Sequence, residues 1–342
     1  MVYLLPTSDQ VYLTGQVADY LAAEFPLARL RDASVRHDLA HWPSLIEYGF
    51  TGLGVDEATG GSNLAVTDEA LIFRQMGRAL VSPAILASAV AARIAAAQGN
   101  AAVSAGLIDG SRRAGLAFAR EPGSADAGLY LVDSEAADFV LVATTGRLRL
   151  FPGAAFDCEP ADSFDDAVSL QHAAEPSEVP ILEVGGDNPF ISQFVLFCAA
   201  QLVGIAECAR DLALDYAKLR EQFGRLIGSF QAIKHRCADM EIRSQVALAQ
   251  FYRAAVTCRD NAADSAFHAA AAFRLASRAA LQNAAAGIQV HGGIGFTAEC
   301  DVHWLLKRAH LLDALNISPL AGVNAFLHAP LAVAAAREAG HV

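Results

Sequence analysis

The sequence predicts a mainly α-helical protein with a central β domain, in the order helical, β, helical. Three observations predict it. In DEALIFRQMGRAL at 68–80 the apolar residues recur near the helical period, placing Leu71, Ile72, Met76 and Leu80 on one side. Between 115 and 184 the period changes: GLAFA, GLYLVD, DFVLVAT, RLRLF and PILEV are short runs of β-formers bounded by Gly, Asp, Ser or Pro. Long alanine-rich stretches then restore the helical pattern. The order is neither an alternating βαβ chain nor a doubly wound sheet.

Residues 1–105 form the first helical domain. The glycine-rich loop EYGFTGLGVDEATGGSNL precedes the 68–80 helix, and Ser62, Asn63 and Thr67 offer N-caps for it. Residues 106–186 form the β domain. Residues 187–342 form a helical bundle, with helices expected over Val195–Leu219, Gln231–Asp260 and Ala262–Gln289. Alanine at many positions lets those backbones approach closely.

Hydrophobic residues make up 54% of the chain and charged residues only 18%, which points to surface hidden in an oligomer as well as in a core. The net charge of −12 makes nucleic acid and anionic membranes poor partners. Any bound anion must be held by a few placed cations. MVYLLPTSDQ lacks the basic start of an export signal. The most apolar windows, 84–97 and 269–290, carry Arg93, or Arg274, Arg278, Gln282 and Gln289, too many for a membrane span. The six cysteines contain no CxxC pair, so no metal is expected, and they fit a reducing cytoplasm.

Two glycine breaks interrupt the C-terminal helices. At the first, REQFGRLIGSFQ, Arg220 can be a cation at a helix C-terminus with Gly224 as the helix stop. Equally, its planar fork can grip a diphosphate. Phe223 can lie flat on a ring system, Ser229 can cap the next helix, and Gln231 falls in that helix's first turn. At the second, Gln289-Val-His-Gly-Gly, adjacent glycines let a ligand reach the backbone N–H groups, although a cap and a turn would look the same. HGGIGF follows a helix, so it fails as a dinucleotide fingerprint. His303 and His310 lack a third ligand and read as polar helix residues.

YAKLREQFGRLIGSFQAIKHRCADM at 216–240, followed by QVHGGIGFTAECDVHWLLKRA at 289–309, closely resembles the C-terminal helical domain of the acyl-CoA dehydrogenases. GFTGLGVDEATGG and the 68–80 helix extend the resemblance to the N-terminal domain. It implies an N-terminal helical domain, a reduced β-barrel middle domain and a C-terminal four-helix bundle. It also implies FAD shared between subunits, with the flavin against one subunit's β domain and the adenosine diphosphate half held by its neighbour. The matching positions of that neighbour are Arg220, Gln222, Phe223, Ile227, Gln231, Gln289, Gly292 and Gly293. Arg220 would hold the pyrophosphate, and Gln289, Gly292 and Gly293 would border the adenosine.

The departures from the family pattern carry as much information. Where a Thr-Glu-Pro-Gly-type segment meets the flavin, this chain has AREPGSAD, with Arg120 at the hydroxyl position. The Trp-Ile-Thr segment has no counterpart; Trp42 and Trp304 lie elsewhere. The family's base, a glutamate that removes the α-proton while a β-hydride passes to flavin, is replaced by Asn316 at one expected place. Phe194 and Val195 occupy the other. Asp313 is the nearest alternative acid, and Glu299 matches a position not known as the base. The chain thus resembles the shorter, base-lacking subunit of α2β2 enzymes of bacterial steroid side-chain degradation. Its implied partners are a homologous catalytic subunit, an acyl-CoA and an electron-transfer flavoprotein or similar acceptor. The alternatives are a homo-oligomeric dehydrogenase using Asp313, or a flavin-free structural or regulatory subunit.

Overall fold

The computed structural model describes residues 4–33, 41–119, 128–315 and 317–318. The first helical segment comprises α1 (Ser8–Glu24), α2 (Trp42–Glu47), α3 (Val66–Arg78), α4 (Pro83–Ala97) and α5 (Ala101–Ile108). Leu71, Ile72 and Met76 are buried, as the periodicity predicts. The cap differs: α3 starts from Ala65, whose N–H donates to Asp68 Oδ2 at 3.2 Å, so Ser62, Asn63 and Thr67 do not cap it.

The middle layer holds β1 (Ala114–Ala119), β2 (Leu129–Val132), β3 (Phe139–Thr144), β4 (Arg147–Pro152), β5 (Glu159–Pro160), β6 (Leu170–Ala173) and β7 (Leu182–Gly185). The described strands form one sheet in the order β5-β6-β2-β1-β3-β4-β7. Only the β1–β3 pair is parallel among these ladders. Alternation along the strands sends Leu116, Leu141 and Leu150 to the main core, while Ala117, Leu131, Val142 and Phe151 build a second cluster under Phe156.

The bundle is built on α6 (Pro189–Leu219), which starts six residues before the predicted Val195. Asn188 accepts the Phe190 N–H at 3.0 Å and Pro189 takes the first helical position, a strong start signal. α6 is long and apolar enough to cross a membrane, but 89% of its apolar window is buried inside the protein. α3 crosses it backbone to backbone: a Cβ on Gly204 would lie 2.0 Å from Arg74 O, and one on Gly77 would lie 2.1 Å from Gln201 O. Arg74 then forks onto Glu207 with two bonds of 2.8 Å. α7 (Gln231–Arg259) and α8 (Ser265–His291) complete the bundle. Fully buried Asn283 on α8 places its amide nitrogen 3.0 Å from each of Ala206 O, Met240 O and Ser244 Oγ, and its two N–H groups shared among these acceptors tie the three long helices together.

α9 (Val302–Asp313) returns to the first segment. Its buried Arg308 bonds to Asp165 at 2.5 Å and to the Leu80 and Val81 carbonyls at 3.1 and 2.8 Å. Arg29, also buried, reaches the same Leu80 carbonyl at 3.1 Å.

Candidate functional site

The first glycine break is a hairpin, not a stopped helix. α6 ends at Leu219, and Arg220 leaves it in extended backbone with its N–H bonded to Tyr216 O at 2.9 Å. β8 (Glu221–Gln222) pairs with β9 (Arg225–Leu226). Phe223 and Gly224 form the two-residue turn between them, with φ of 53° and 73°. Two positive φ values are what a tight hairpin turn needs. Gly224 is therefore a turn residue, and the helix-stop reading is corrected. The Ile227 N–H donates to Arg220 O at 2.8 Å, and the Ile227 side chain is buried, which pins the hairpin at its base.

Beyond the hairpin, Ser229 donates to Leu226 O at 2.7 Å and does not cap α7; Phe230 stands at that boundary. The Arg225 guanidinium lies 4.0 Å over the Phe230 ring, and the Phe223 ring meets Phe230 edge-on at 6.2 Å. Gln231 opens α7 with Nε2 at 3.1 Å from His235 Nε2. The Arg220 guanidinium faces solvent and has no acidic partner among the described residues.

The second break is held against the first. His291, the last residue of α8, stacks on Tyr216 with ring centroids 4.3 Å apart. Its Nδ1–H goes to Gly287 O at 2.8 Å, which fixes the tautomer. Tyr216 is the residue whose carbonyl receives the Arg220 N–H, so the two breaks form one end of the bundle. Gly292 has φ of 65°, and a Cβ on Gly292 or Gly293 would meet nothing within 4 Å. Their backbone is open to an approaching ligand. Gln289 is exposed and lines an open groove of ≈ 650 Å³ with Ala232, His235 and Arg236. The structure thus gathers all eight predicted cofactor residues at one end. Ile227 alone among them is buried and supports the hairpin from beneath. The Gly292 N–H is taken by Ile288 O, so a guanidinium with no acidic partner among the described residues is the main donor for a diphosphate, with an exposed aromatic ring and the uncrowded Gly292–Gly293 backbone beside it.

The candidate acids do not gather there. Phe194 and Val195 are buried apolar residues inside α6, while Asn316 and the 120–127 segment with Arg120 lie outside the described residues. Asp313 is exposed at the end of α9, where it accepts the Ser277 hydroxyl. Glu299 is exposed, and the Thr297 hydroxyl pulls its carboxyl below the usual range, the wrong direction for a base. Among the described residues no cluster of three His, Cys, Asp or Glu could hold a metal.

One feature escaped the sequence reading. A cavity of ≈ 520 Å³ opens at the N-terminal end of α6, with Ile191, Ser192 and Val195 on one wall and the turn from Asn261 to Ser265 on another. Ser318 also lines it, two residues beyond Asn316. The cavity thus borders Val195, at one of the places where a base was expected; the other, Asn316, lies outside the described residues. Among the described residues the cavity's single lining carboxylate, Asp187, is exposed. The helix break near residue 261 was legible, but the depth behind it comes from tertiary packing.

Comparison with known proteins gives a consistent result. Residues 195–316 match the acyl-CoA dehydrogenase C-terminal domain, and residues 7–107 match the N-terminal domain of the same family. The acyl-CoA dehydrogenase IpdE2 of Mycobacterium tuberculosis is 34% identical over 328 residues, covering 92% of this chain and 95% of that one. The ChsE4–ChsE5 complex of the same organism has a similar fold, with a TM-score of 0.78 at 21% identity and full coverage of both chains. The steroid ACAD Tcur3481–Tcur3483 aligns with a TM-score of 0.74 at 23% identity, covering 97% of this chain and 99% of that one.

Proposed function

This chain belongs to the acyl-CoA dehydrogenase family, whose cofactor is FAD, and from that premise we propose that it is the base-lacking subunit of a heteromeric enzyme. It grips the adenosine diphosphate half of an FAD whose flavin rests against a homologous catalytic partner. When bound, FAD supplies the hydride acceptor for α,β-desaturation of an acyl-CoA thioester. Arg220 neutralises the diphosphate, and the Gly292–Gly293 backbone borders the adenosine with Gln289. Gln222 and Gln231 supply amides beside them, and Phe223 offers a flat face. The partner supplies the glutamate, since Phe194 and Val195 cannot take a proton.

The observation that carries this reading is exposure. Apart from buried Ile227, the nucleotide residues lie on the surface of the single chain, with Gln289 in an open groove. Phe223 is 92% exposed and Phe296, beside the second break, is 78% exposed. Apolar rings at that exposure around an unpaired arginine suit a surface that another chain covers. A steroid-derived thioester is the proposed substrate class, by analogy with the similarly folded steroid ACAD complex. Cytoplasmic action is proposed because all six thiols are free.

The test is co-expression with an acyl-CoA dehydrogenase-like protein encoded nearby, purification through a tag on this chain, and a flavin count. One FAD per two chains is expected, and one per chain would overturn the half-site. Arg220→Ala should weaken flavin retention by about 10- to 100-fold, the worth of a charged bidentate contact. Unchanged flavin in that variant would favour a structural role.

A further inference from the structure

We infer that Tyr216 and His291 are positioning residues whose stacked rings set the spacing between the diphosphate grip and the adenosine border. The inference rests on the half-site reading and adds to it what makes the site select a dinucleotide over a bare diphosphate.

The two parts of the site sit on separate supports. Arg220 follows α6, whereas Gly292 and Gly293 follow α8. Among the described residues, segments 220–230 and 289–297 exchange no hydrogen bond. Helix ends fray, so two last turns need a contact of their own to stay in register. A ligand must meet Arg220 with its diphosphate and Gly292–Gly293 with its adenosine. It binds tightly only where those two are already the right distance apart.

The stacked rings supply that contact. Tyr216 lies one turn before Arg220, and His291 directly precedes Gly292. Their centroids are 4.3 Å apart with an interplanar angle of 24°, so the last turn of α6 lies ring to ring against the last turn of α8. Each ring is also tied to its own break. Tyr216 O takes the Arg220 N–H at 2.9 Å, and the chain leaving the hairpin folds back onto the next residue of α6. A Cβ on Gly228 would lie 2.8 Å from Ala217 O. On the other side, the turn after α8 wraps His291: a Cβ on Gly295 would lie 3.2 Å from His291 Cβ and 2.7 Å from Ile288 O. The bond from His291 Nδ1 to Gly287 O, at 2.8 Å, holds the imidazole against rotation. The Tyr216 hydroxyl and His291 Nε2 have no hydrogen-bond partner among the described residues, so the ring faces carry the contact. Moving either ring therefore moves one half of the site relative to the other.

The experiment strips flavin from the complex co-purified with the catalytic subunit. It then measures FAD binding by quenching of flavin fluorescence, with ADP and inorganic diphosphate as competitors. Tyr216→Leu and His291→Ala should each weaken FAD and ADP by about tenfold, the worth of an aromatic contact. Inorganic diphosphate needs only the Arg220 end, so its affinity should stay within about twofold of native, which also shows that this end is still folded. Tyr216→Phe and His291→Phe keep both rings and should restore FAD binding to within about threefold. Native FAD affinity in Tyr216→Leu would overturn the inference. So would a Tyr216→Phe variant as weak as Tyr216→Leu, which would move the effect to the hydroxyl. Loss of inorganic diphosphate in parallel with FAD would mean that the whole bundle end loosens, and would equally overturn it. Arg220→Ala separates the two ideas. If that variant binds all three ligands like the native complex, the half-site reading fails and takes this inference with it. If it loses all three while Tyr216→Leu loses none, the inference alone fails.

Discussion

Phe223 sits in the left-handed region with its ring in solvent, and an L-residue with a bulky side chain has no local reason to do either. That conformation costs about 1 kcal/mol. Phe223→Asn should therefore raise the lone chain's stability by about that amount in urea titration, while weakening flavin retention in the complex. A variant that loses stability would show that the ring packs usefully in the single chain. Glu69 gives a second residue-scale test. It is buried against Arg93 beneath the glycine-rich loop, and burial pushes its carboxyl up to about 7, with Arg93 pulling the other way. The folded state then holds a proton that the unfolded chain has released. Stability should fall as pH rises from about 4.5 to 7, by at most about 3 kcal/mol. Glu69→Gln removes this titration, so its urea midpoints at pH 5 and pH 8 should differ less than the native ones. The hairpin was not legible in REQFGRL because its turn lacks the Asn-Gly signature, and no local rule places phenylalanine at positive φ. The eight cofactor positions were legible through family resemblance; that most of them are exposed, over a buried Ile227, was visible only in the fold.

At the scale of elements, α3 and α6 depend on missing side chains. Gly204→Ala would drive a methyl into the Arg74 carbonyl, which neither backbone can yield without moving. The expected loss is about 1–3 kcal/mol, read from the urea midpoint, and a neutral result would mean the helices do not cross this closely. Periodicity and alternation made α3, α8 and strands β1 to β4 legible, because each has one face to bury. β5 and β6 were not, since they are short and half exposed. The start of α6 was hidden in PFISQF, whose aromatic residues carry no helical period, although Asn188-Pro189 marked it.

At the scale of the whole molecule, five of the fourteen exposed large apolar side chains among the described residues lie where a partner is expected. Leu219, Phe223, Leu226, Ile294 and Phe296 all lie at or beside the two breaks. The chain expressed alone should be colourless and poorly soluble, and co-expression with the catalytic subunit should restore both flavin and solubility. A yellow, fully loaded lone chain would end that expectation.

The Leu80 carbonyl, bonded by Arg29 from near the start and Arg308 from near the end, acts as a keystone between distant parts of the polypeptide. Removing the first segment takes from buried Arg308 its two carbonyl acceptors at Leu80 and Val81 and leaves it Asp165 alone, so the later part of the chain is destabilised without the first. Unfolding should accordingly be a single cooperative event, and a fragment cut before residue 106 should remain unstructured until the remainder is added back.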